Sequence, residues 1–350
     1  MKTYELTITP ISGFGTTLKG DTIFGHVCWQ ILYDPGLFGK SLNDLLSDYF
    51  ENPFMVISSA FPKLESDGST RWALKRPDLP LQWLFKSTEG DRKKIIENRK
   101  VIKSKKWLLL SEQQKLNDLR TVDYKTDLEL LDLMNQSLSA PERKQNLRRG
   151  IKRVLISFSQ PHNTINRFSG TTGDGRFAPF TGNSFVFRPG TKLALFIGCL
   201  DDIKTESVQE CFRRIGEVGF GKDASTGLGK FQVEAMKEVN LSSLGPDNPN
   251  ACYTLSPCVP TKGNFRESFY TPFVRFGRHG DSLAVSPHPF KNPILFADEG
   301  AVFVPENPEV FNRPFFGKAL SGLSKSEPRT VAQGYSLYIP FHLEAPKNEK

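Results

Sequence analysis

The sequence predicts an α+β protein whose first part follows the ferredoxin-like plan, βαββαβ, also used by RNA-recognition folds. In that plan two helices lie on one face of a four-stranded antiparallel sheet. Three observations carry the expectation. Two segments show the apolar spacing of amphipathic helices, and alternating or apolar strand segments flank them. The order, once insertions are set aside, is strand, helix, strand, strand, helix, strand. The length, 350 residues and 39.4 kDa, leaves room for a second domain behind it.

Each element has its own reason. Tyr4, Leu6 and Ile8 alternate with polar residues, as a half-buried strand does. A glycine-rich turn follows from Ile11 to Gly20, and Asp21 is expected to cap a helix. In that helix Ile23, Phe24, Val27, Cys28, Ile31 and Leu32 form one apolar stripe, which Asp34-Pro35-Gly36 stops. Residues 41–50 make a second short helix, and Phe54 to Phe61 reads as a strand or irregular apolar run. From about residue 62 to 150 the chain turns polar and basic, and reads as an insertion rather than as core. Val154 to Phe158 is expected to be the second core strand, and His162 to Gly182 a loop rich in Gly, Thr and Asn. Lys192 to Leu200 is a more buried strand. Asp201-Asp202 reads as the cap of a helix carrying Val208, Cys211, Phe212 and Ile215. The loop Gly219–Gly229 and a strand from Lys230 to Val239 complete this domain, expected to span 1–240. Leu241 to Asn250 is a boundary of turn residues. A second domain, 251–343, is expected to consist of short strands between Pro/Gly turns, with a polar tail over 344–350.

Charge is concentrated. Lys and Arg number 46 against 38 Asp and Glu, a net +8. Arg92 to Lys106 alone carries +7, and Arg143 to Arg153 carries +6 without an acid. The rest of the chain is mildly acidic. Two basic runs flanking one segment point to a polyanion, most commonly nucleic acid. Phenylalanine is also frequent, at 28 residues, so some rings are available to stack on unpaired bases.

Several chemistries find no support. The five cysteines, Cys28, Cys199, Cys211, Cys252 and Cys258, form no Cys-x-x-Cys pair and read as reduced thiols. No histidine sits at zinc-ligand spacing and no paired-acid metal signature is present, so neither metal nor cofactor is expected. No stretch approaches the ~20 apolar residues of a membrane helix. Met1-Lys2 is not followed by an apolar signal-peptide run, so a cytoplasmic protein is expected.

The loop Gly219-Phe-Gly-Lys-Asp-Ala-Ser-Thr-Gly-Leu-Gly229 is the sharpest local signal. Gly219, Gly221, Gly227 and Gly229 let backbone approach a phosphate, while Lys222, Ser225 and Thr226 add a cation and hydroxyls. A helix C-cap would explain Gly219 and Gly221 but leave Gly227 and Gly229 without a role, so phosphate contact is the preferred reading. The loop is no nucleotide-hydrolase motif. Gly15-Thr-Thr-Leu-Lys-Gly20 has that spacing, but Asp21 stands where the lysine belongs. Gly173-Asp-Gly-Arg-Phe-Ala178 opens no helix in a βαβ unit and is read as chance. His26, near the glycine-rich turn and Lys19, offers an alternative: metal-independent RNA cleavage with His26 as acid or base.

Three blocks together carry a family resemblance. Leu18-Lys-Gly-Asp-Thr-Ile-Phe-Gly25 with Cys28-Trp29, Asn163-Thr-Ile-Asn-Arg167 with Gly170-Thr-Thr172, and the glycine loop through Lys230 resemble the repeat-associated mysterious protein (RAMP) superfamily in order and spacing. Within it they resemble subunit four of the type III-A CRISPR (Csm) effector complexes, a design shared by subunit three of the Cmr complex. Pro289-Phe-Lys-Asn-Pro293 and Gly300-Ala-Val-Phe303 extend the likeness toward the C-terminus.

The resemblance implies two ferredoxin-like domains, the second degenerate, and no catalytic centre. It implies capping of the 5′ repeat-derived handle of the CRISPR RNA (crRNA). It also implies docking on a large polymerase-like signalling subunit and on a backbone RAMP subunit. Carried over by position, Gly219, Gly221, Lys222, Ser225, Thr226, Gly227, Gly229, Lys230 and Lys19 would contact the handle, with Asn163 and Arg167 nearby. A thumb-like insertion would displace a base of target RNA near the first guide–target pair, and the basic stretch occupies a place for it. The alternative with His26 is a CRISPR repeat endoribonuclease of the same superfamily.

Overall fold

A computed structural model describes residues 1–66, 68–85, 92–136, 138–148, 150 and 152–344. The polar tail beyond 344 lies outside the described residues, as do Arg149 and the side chains of Arg92, Lys93, Lys94 and Arg148 in the basic runs. The chain opens with β1 (Lys2–Pro10), α1 (Gly20–Tyr33), α2 (Leu42–Ser47), β2 (Met55–Ile57), β3 (Phe61–Ser66) and β4 (Ser69–Lys75). It continues through α3 (Leu81–Leu84), α4 (Arg92–Ser104), β5 (Trp107–Ser111), β6 (Asp123–Lys125), α5 (Asp127–Gln136) and α6 (Ala140–Arg148). Then come β7 (Leu155–His162), β8 (Phe180–Phe187), β9 (Lys192–Cys199), α7 (Thr205–Val218) and β10 (Phe231–Glu238).

These strands form one antiparallel sheet in the order β10-β1-β9-β3-β4-β5-β6, with β2 also on β9. The first four positions are the ferredoxin-like order, and Ile23 of α1 and Phe212 and Ile215 of α7 pack on Ile8 and Leu195 of one face. The second core strand is therefore β2 and β3, which pair successive stretches of β9. It is not Val154–Phe158, whose residues from Leu155 on belong to β7 and pair with β8 in a separate two-stranded ribbon.

The segment after residue 62 also needs correction. Its strands β3 to β6 widen the main sheet, and Trp72, Leu74, Leu108, Leu110 and Tyr124 join the central core. A buried ion pair hides this in the sequence. Lys63, an inward-facing residue of β3, binds Glu5 Oε1 at 2.8 Å and donates to Thr7 Oγ1 at 3.0 Å. Trp72 Nε1 donates to the other oxygen of Glu5 at 3.2 Å. Buried charges persist when paired and hydrogen-bonded, so these inward positions read as polar although they are core.

The same network closes the sheet face opposite the helices. Register places Glu5, Phe196, Lys63 and Trp72 together there, and all are buried. RNA-recognition folds leave that face open; here it is filled.

Two expected caps differ as well. Lys19 is the N-cap of α1, and Asp21, inside the first turn, pairs with Arg275 at 2.7 Å. Lys204 is the N-cap of α7, and Asp202 instead binds Lys40 at 2.7 Å.

The second part comprises β11 (Ala251–Thr254), β12 (Phe265–Phe269), β13 (Pro272–Arg275), β14 (Ile294–Ala297), β15 (Val302–Pro305), β16 (Phe315–Gly317) and β17 (Tyr335–Phe341). They form a five-stranded sheet, β12-β15-β11-β17-β16, and a β13-β14 ribbon. Only 3-10 turns accompany them among the described residues, so this is a ferredoxin-like domain without its α-helices. Its core is continuous with the first: Tyr253, Val302, Leu337 and Ile339 lie in the same cluster as Ile57 and Phe196. Among the described residues, no helix is long and apolar enough to cross a membrane.

Candidate nucleic-acid interface

Two glycine-rich segments meet at one end of the main sheet. The turn after β1 runs along Ser12–Thr16, and the loop after α7 lies against it. Gly229 N–H donates to the carbonyl of Gly13 at 2.6 Å, Lys222 N–H to Thr16 Oγ1 at 2.9 Å, and Lys230 N–H to Ser12 Oγ at 2.9 Å. Phe220, at the base of the loop, is buried and its N–H bonds the carbonyl of Gly229 at 2.9 Å. The close fit explains the glycines. At Gly229, φ is +77° and a Cβ would stand 2.1 Å from the carbonyl oxygen of Phe220. At Gly221, φ is +78° and a Cβ would stand 2.5 Å from Thr16.

The expectation of a row of free donors is thereby narrowed. The N–H groups of Gly219, Phe220, Gly221, Lys222 and of Thr226 through Lys230 all bond within the protein. Among the described residues, those of Asp223, Ala224 and Ser225 make no hydrogen bond. Asp223 adopts φ +62°, and a 3-10 turn follows at Ala224–Thr226. Successive N–H groups in such a turn form an anion-receptive concavity. Around it, Lys222 is half exposed, Ser225 and Lys230 are exposed, and the Thr226 hydroxyl donates to the carbonyl of Asp223 at 2.8 Å. The Lys222 ammonium lies 3.5 Å from Asp223.

The β7–β8 ribbon rises beside this loop. Phe14 and Phe185 exchange backbone hydrogen bonds of 2.7 and 2.9 Å, tying the first glycine turn to the ribbon. A Cβ on Gly182 would lie 2.9 Å from His162 Nε2 and 3.7 Å from Lys222 Nζ, so these two side chains converge over one glycine. His162 and Phe180 stack, centroids 5.2 Å apart at 14°, with Phe180 54% exposed. In the connecting loop Asn163 and Arg167 are exposed, and Phe168 is fully so. Asn166 shapes this turn: its side chain accepts from Phe168 N–H and its carbonyl from Gly170 N–H. The exposed basic residues Lys152 and Arg153 lead into the ribbon. Phe168, Phe180 and His162 were not among the expected site residues. Their signal was an aromatic residue placed inside a Gly/Thr/Asn loop.

Lys19 does not join this surface. It is 16% exposed, and its ammonium binds Glu299 at 2.7 Å and Asp298, both from the second domain, over the Phe273 ring. Burial opposes its charge, but the two carboxylates hold its pKa above the ordinary value. Burial pushes Glu299 up to about 7; Asp298, despite burial, is held down near 2 by hydrogen bonds from its neighbours and by Lys19. Lys19 thus pins the two domains together, its ammonium committed to the carboxylates of Asp298 and Glu299.

His26 is also committed. Its Nε2 accepts the N–H of Gly221 at 3.1 Å, its ring packs on Phe220, and burial lowers its pKa to about 4. A neutral imidazole whose Nε2 is occupied by a backbone donor holds the loop in shape. Burial raises the thiol pKa of Cys28 to about 12 and of Cys199 to about 11, and all five cysteines are free thiols. Among the described residues no cluster of His, Cys, Asp or Glu could hold a metal ion.

No family model matches the sequence, and no curated protein matches it. Solved structures do. A crystal structure of a Csm3–Csm4 subcomplex of the type III-A CRISPR-Cas interference complex matches with TM-score 0.55 and 15% identity, over 98% of this chain and 100% of the other. Crystal structures of the Csm1–Csm4 cassette match over 99% of this chain and 100% of the other. With AMPPNP bound the TM-score is 0.52 at 15% identity, and with pppApA 0.51 at 17%. At such identities the likeness is one of architecture: from end to end, the chain has the fold of Csm4.

Proposed function

We propose that this protein is a non-catalytic RNA-binding subunit of a type III CRISPR effector complex that caps the 5′ repeat-derived handle of crRNA. One observation carries the reading. In a chain with the Csm4 fold from end to end, the glycine loop, the first glycine turn and an exposed basic-aromatic ribbon converge on one surface. The handle phosphates would sit on the N–H groups of Asp223, Ala224 and Ser225 with Lys222 and Lys230 beside them. Gly219, Gly221, Gly227 and Gly229 shape the loop, and Ser225, Thr226, Asn163 and Arg167 border it. The ribbon would reach target RNA near the first guide–target pair, the role that the resemblance gives to a thumb-like insertion. Its stacked His162–Phe180 pair and exposed Phe168 suit an unstacked base.

The solved neighbours are complexes of Csm4 with Csm1 and with Csm3, which supports a large polymerase-like subunit and a backbone RAMP subunit as this chain's partners. The alternative, a metal-independent repeat endoribonuclease using His26, is disfavoured because that imidazole is buried, neutral and bonded to Gly221. The test is to purify the tagged protein from its native operon context and sequence the 5′ ends of the bound RNA. The reading expects one short shared 5′ tag, co-purifying subunits, and loss of RNA in Lys222→Ala. Heterogeneous ends without partners would refute it.

A further inference from the structure

We propose that α4 is a second polyanion-binding element, taking the phosphate backbone of a nucleic-acid strand at a place separate from the glycine loop. Residues 92–106, the helix and the two residues after it, carry a net +7. Of its described side chains Ile102 is half-buried and the others, Arg99, Lys100 and Lys103 among them, are exposed, so the described part of the helix is open to solvent. Among the described residues Arg99, Lys100, Lys103 and Lys105 form no ion pair, and Lys106 meets Asp127 only at 4.0 Å. Arg99 and Lys103 fall at i, i+4, and Lys100 and Lys103 at i, i+3, so like charges face each other along the helix.

A 13-residue helix with that pattern would be marginal alone. It is held at one end. The Arg76 guanidinium donates to the carbonyls of Ile102 at 3.1 Å and Lys105 at 2.7 Å, and Arg76 N–H to that of Lys106 at 2.7 Å. The result is a fixed, exposed, self-repelling array of cations, whose repulsion phosphates would relieve. Protein interfaces are depleted in Lys at their cores, so an array of this composition fits a nucleic acid better than an apolar protein surface.

Position separates it from the surface described above. Strand β5, which α4 precedes, lies five places from β10 in the sheet, about 24 Å at ~4.8 Å per strand. Trp107 pairs with Lys75 at the end of β4, whereas the glycine loop adjoins the start of β10. The roots of the two elements are thus set apart both across the sheet and along its strands.

The test uses the full chain and a labelled 20-nucleotide oligouridine RNA, with the Arg99→Gln/Lys100→Gln/Lys103→Gln variant. Affinity near 0.1 M salt is expected to fall at least about tenfold, and the log–log salt slope by about 2, the figure for three single-strand phosphates. Adding Lys222→Ala should lower affinity by a further independent factor, which separates this inference from the proposed handle site. Should the triple variant not fold, Arg99→Gln and Lys103→Gln singly carry the test, each expected to reduce the slope by about 0.7. An unchanged slope and affinity would overturn the proposal. So would α4-dependent binding of polyglutamate peptide or of phosphatidylserine vesicles tighter than that of RNA to the same protein.

Discussion

Gly221 donates its backbone N–H to Nε2 of His26 at 3.1 Å, which ties the glycine loop to the first helix through a neutral imidazole. The pH consequence has a definite sign. The ordinary histidine value of 6.5 applies to the unfolded chain and about 4 to the folded one. Between these values the unfolded state binds the extra proton. Stability from this contact is present above pH 6.5 and lost as pH falls toward 4, by up to about 3 kcal/mol. His26→Ala should remove that acid sensitivity and cost about 1–2 kcal/mol at pH 7.5 by orphaning the Gly221 N–H. Denaturant melts of both proteins at pH 5 and 7.5 check it. Equal pH responses would refute the assignment.

Gly229 and Gly227 separate shape from freedom. Both have positive φ, +77° and +95°, but a Cβ at Gly229 would strike the Phe220 backbone while one at Gly227 would meet nothing within 4 Å. Gly227→Ala should therefore cost about 1 kcal/mol for the left-handed conformation alone. Gly229→Ala should cost more than about 3 kcal/mol, because backbone must move. Comparable denaturation midpoints for the two variants would contradict this packing.

Deleting residues 90–150 should abolish the cooperative unfolding transition rather than simply weaken RNA binding. The deletion removes β5, β6 and α5, leaving Leu74 and Trp72 of β4, both buried, without their cover. Circular dichroism melts of the deleted chain provide the check; a sharp transition near that of the full chain would show the segment to be dispensable.

That segment also shows where the sequence stops being legible. The first strand and both core helices follow from periods of two and 3.6, and β9 from its continuous apolar run. The β3–β4 hairpin does not, because its inward Lys63 is neutralised by Glu5 from a strand 56 residues away in sequence, measured from its partner Thr7. Nothing local announces that pairing. Val154–Phe158 is apolar enough for a core strand, but an apolar run does not name a partner, and β7 pairs with β8 instead of the main sheet. The glycine loop lies between α7 and β10, where the sequence puts it. The sequence reads its glycines as room for phosphate; at Gly221 and Gly229 they also make room for Thr16 and Phe220, and both uses select the same residue. Lys19 is assigned to the handle by the family resemblance alone, and its acidic partners, 279 and 280 residues later, leave no local trace in the sequence.

The Lys19 pin gives a second pH prediction, opposite in sign to that of His26. Burial raises the folded pKa of Glu299 to about 7, above its ordinary 4.5. Its contribution is then fully present below pH 4.5 and lost as pH rises through 7. The isosteric Glu299→Gln variant should match the native protein near pH 5 and exceed it in melting temperature at pH 8. The comparison between variant and native cancels the His26 effect. A lower melting temperature at pH 8 would mean that the charged pair with Lys19 outweighs desolvation.

The ribbon should act through its aromatic faces and contribute little to folding. Phe168 is fully exposed and Phe180 54% exposed, so neither truncation opens a cavity. Phe168→Ala and Phe180→Ala should leave the denaturation midpoint within about 0.5 kcal/mol of native. Each should weaken single-stranded RNA binding by about 1–3 kcal/mol if a base stacks there. Stacking is insensitive to salt, whereas the Lys222 contact is not, so the phenylalanine variants should keep the native salt slope and Lys222→Ala should reduce it by about 0.7. Fluorescence titrations with a labelled oligonucleotide across a salt series distinguish the two. Unaltered affinity in both phenylalanine variants, with stability preserved, would leave the ribbon without a role in binding unpaired bases.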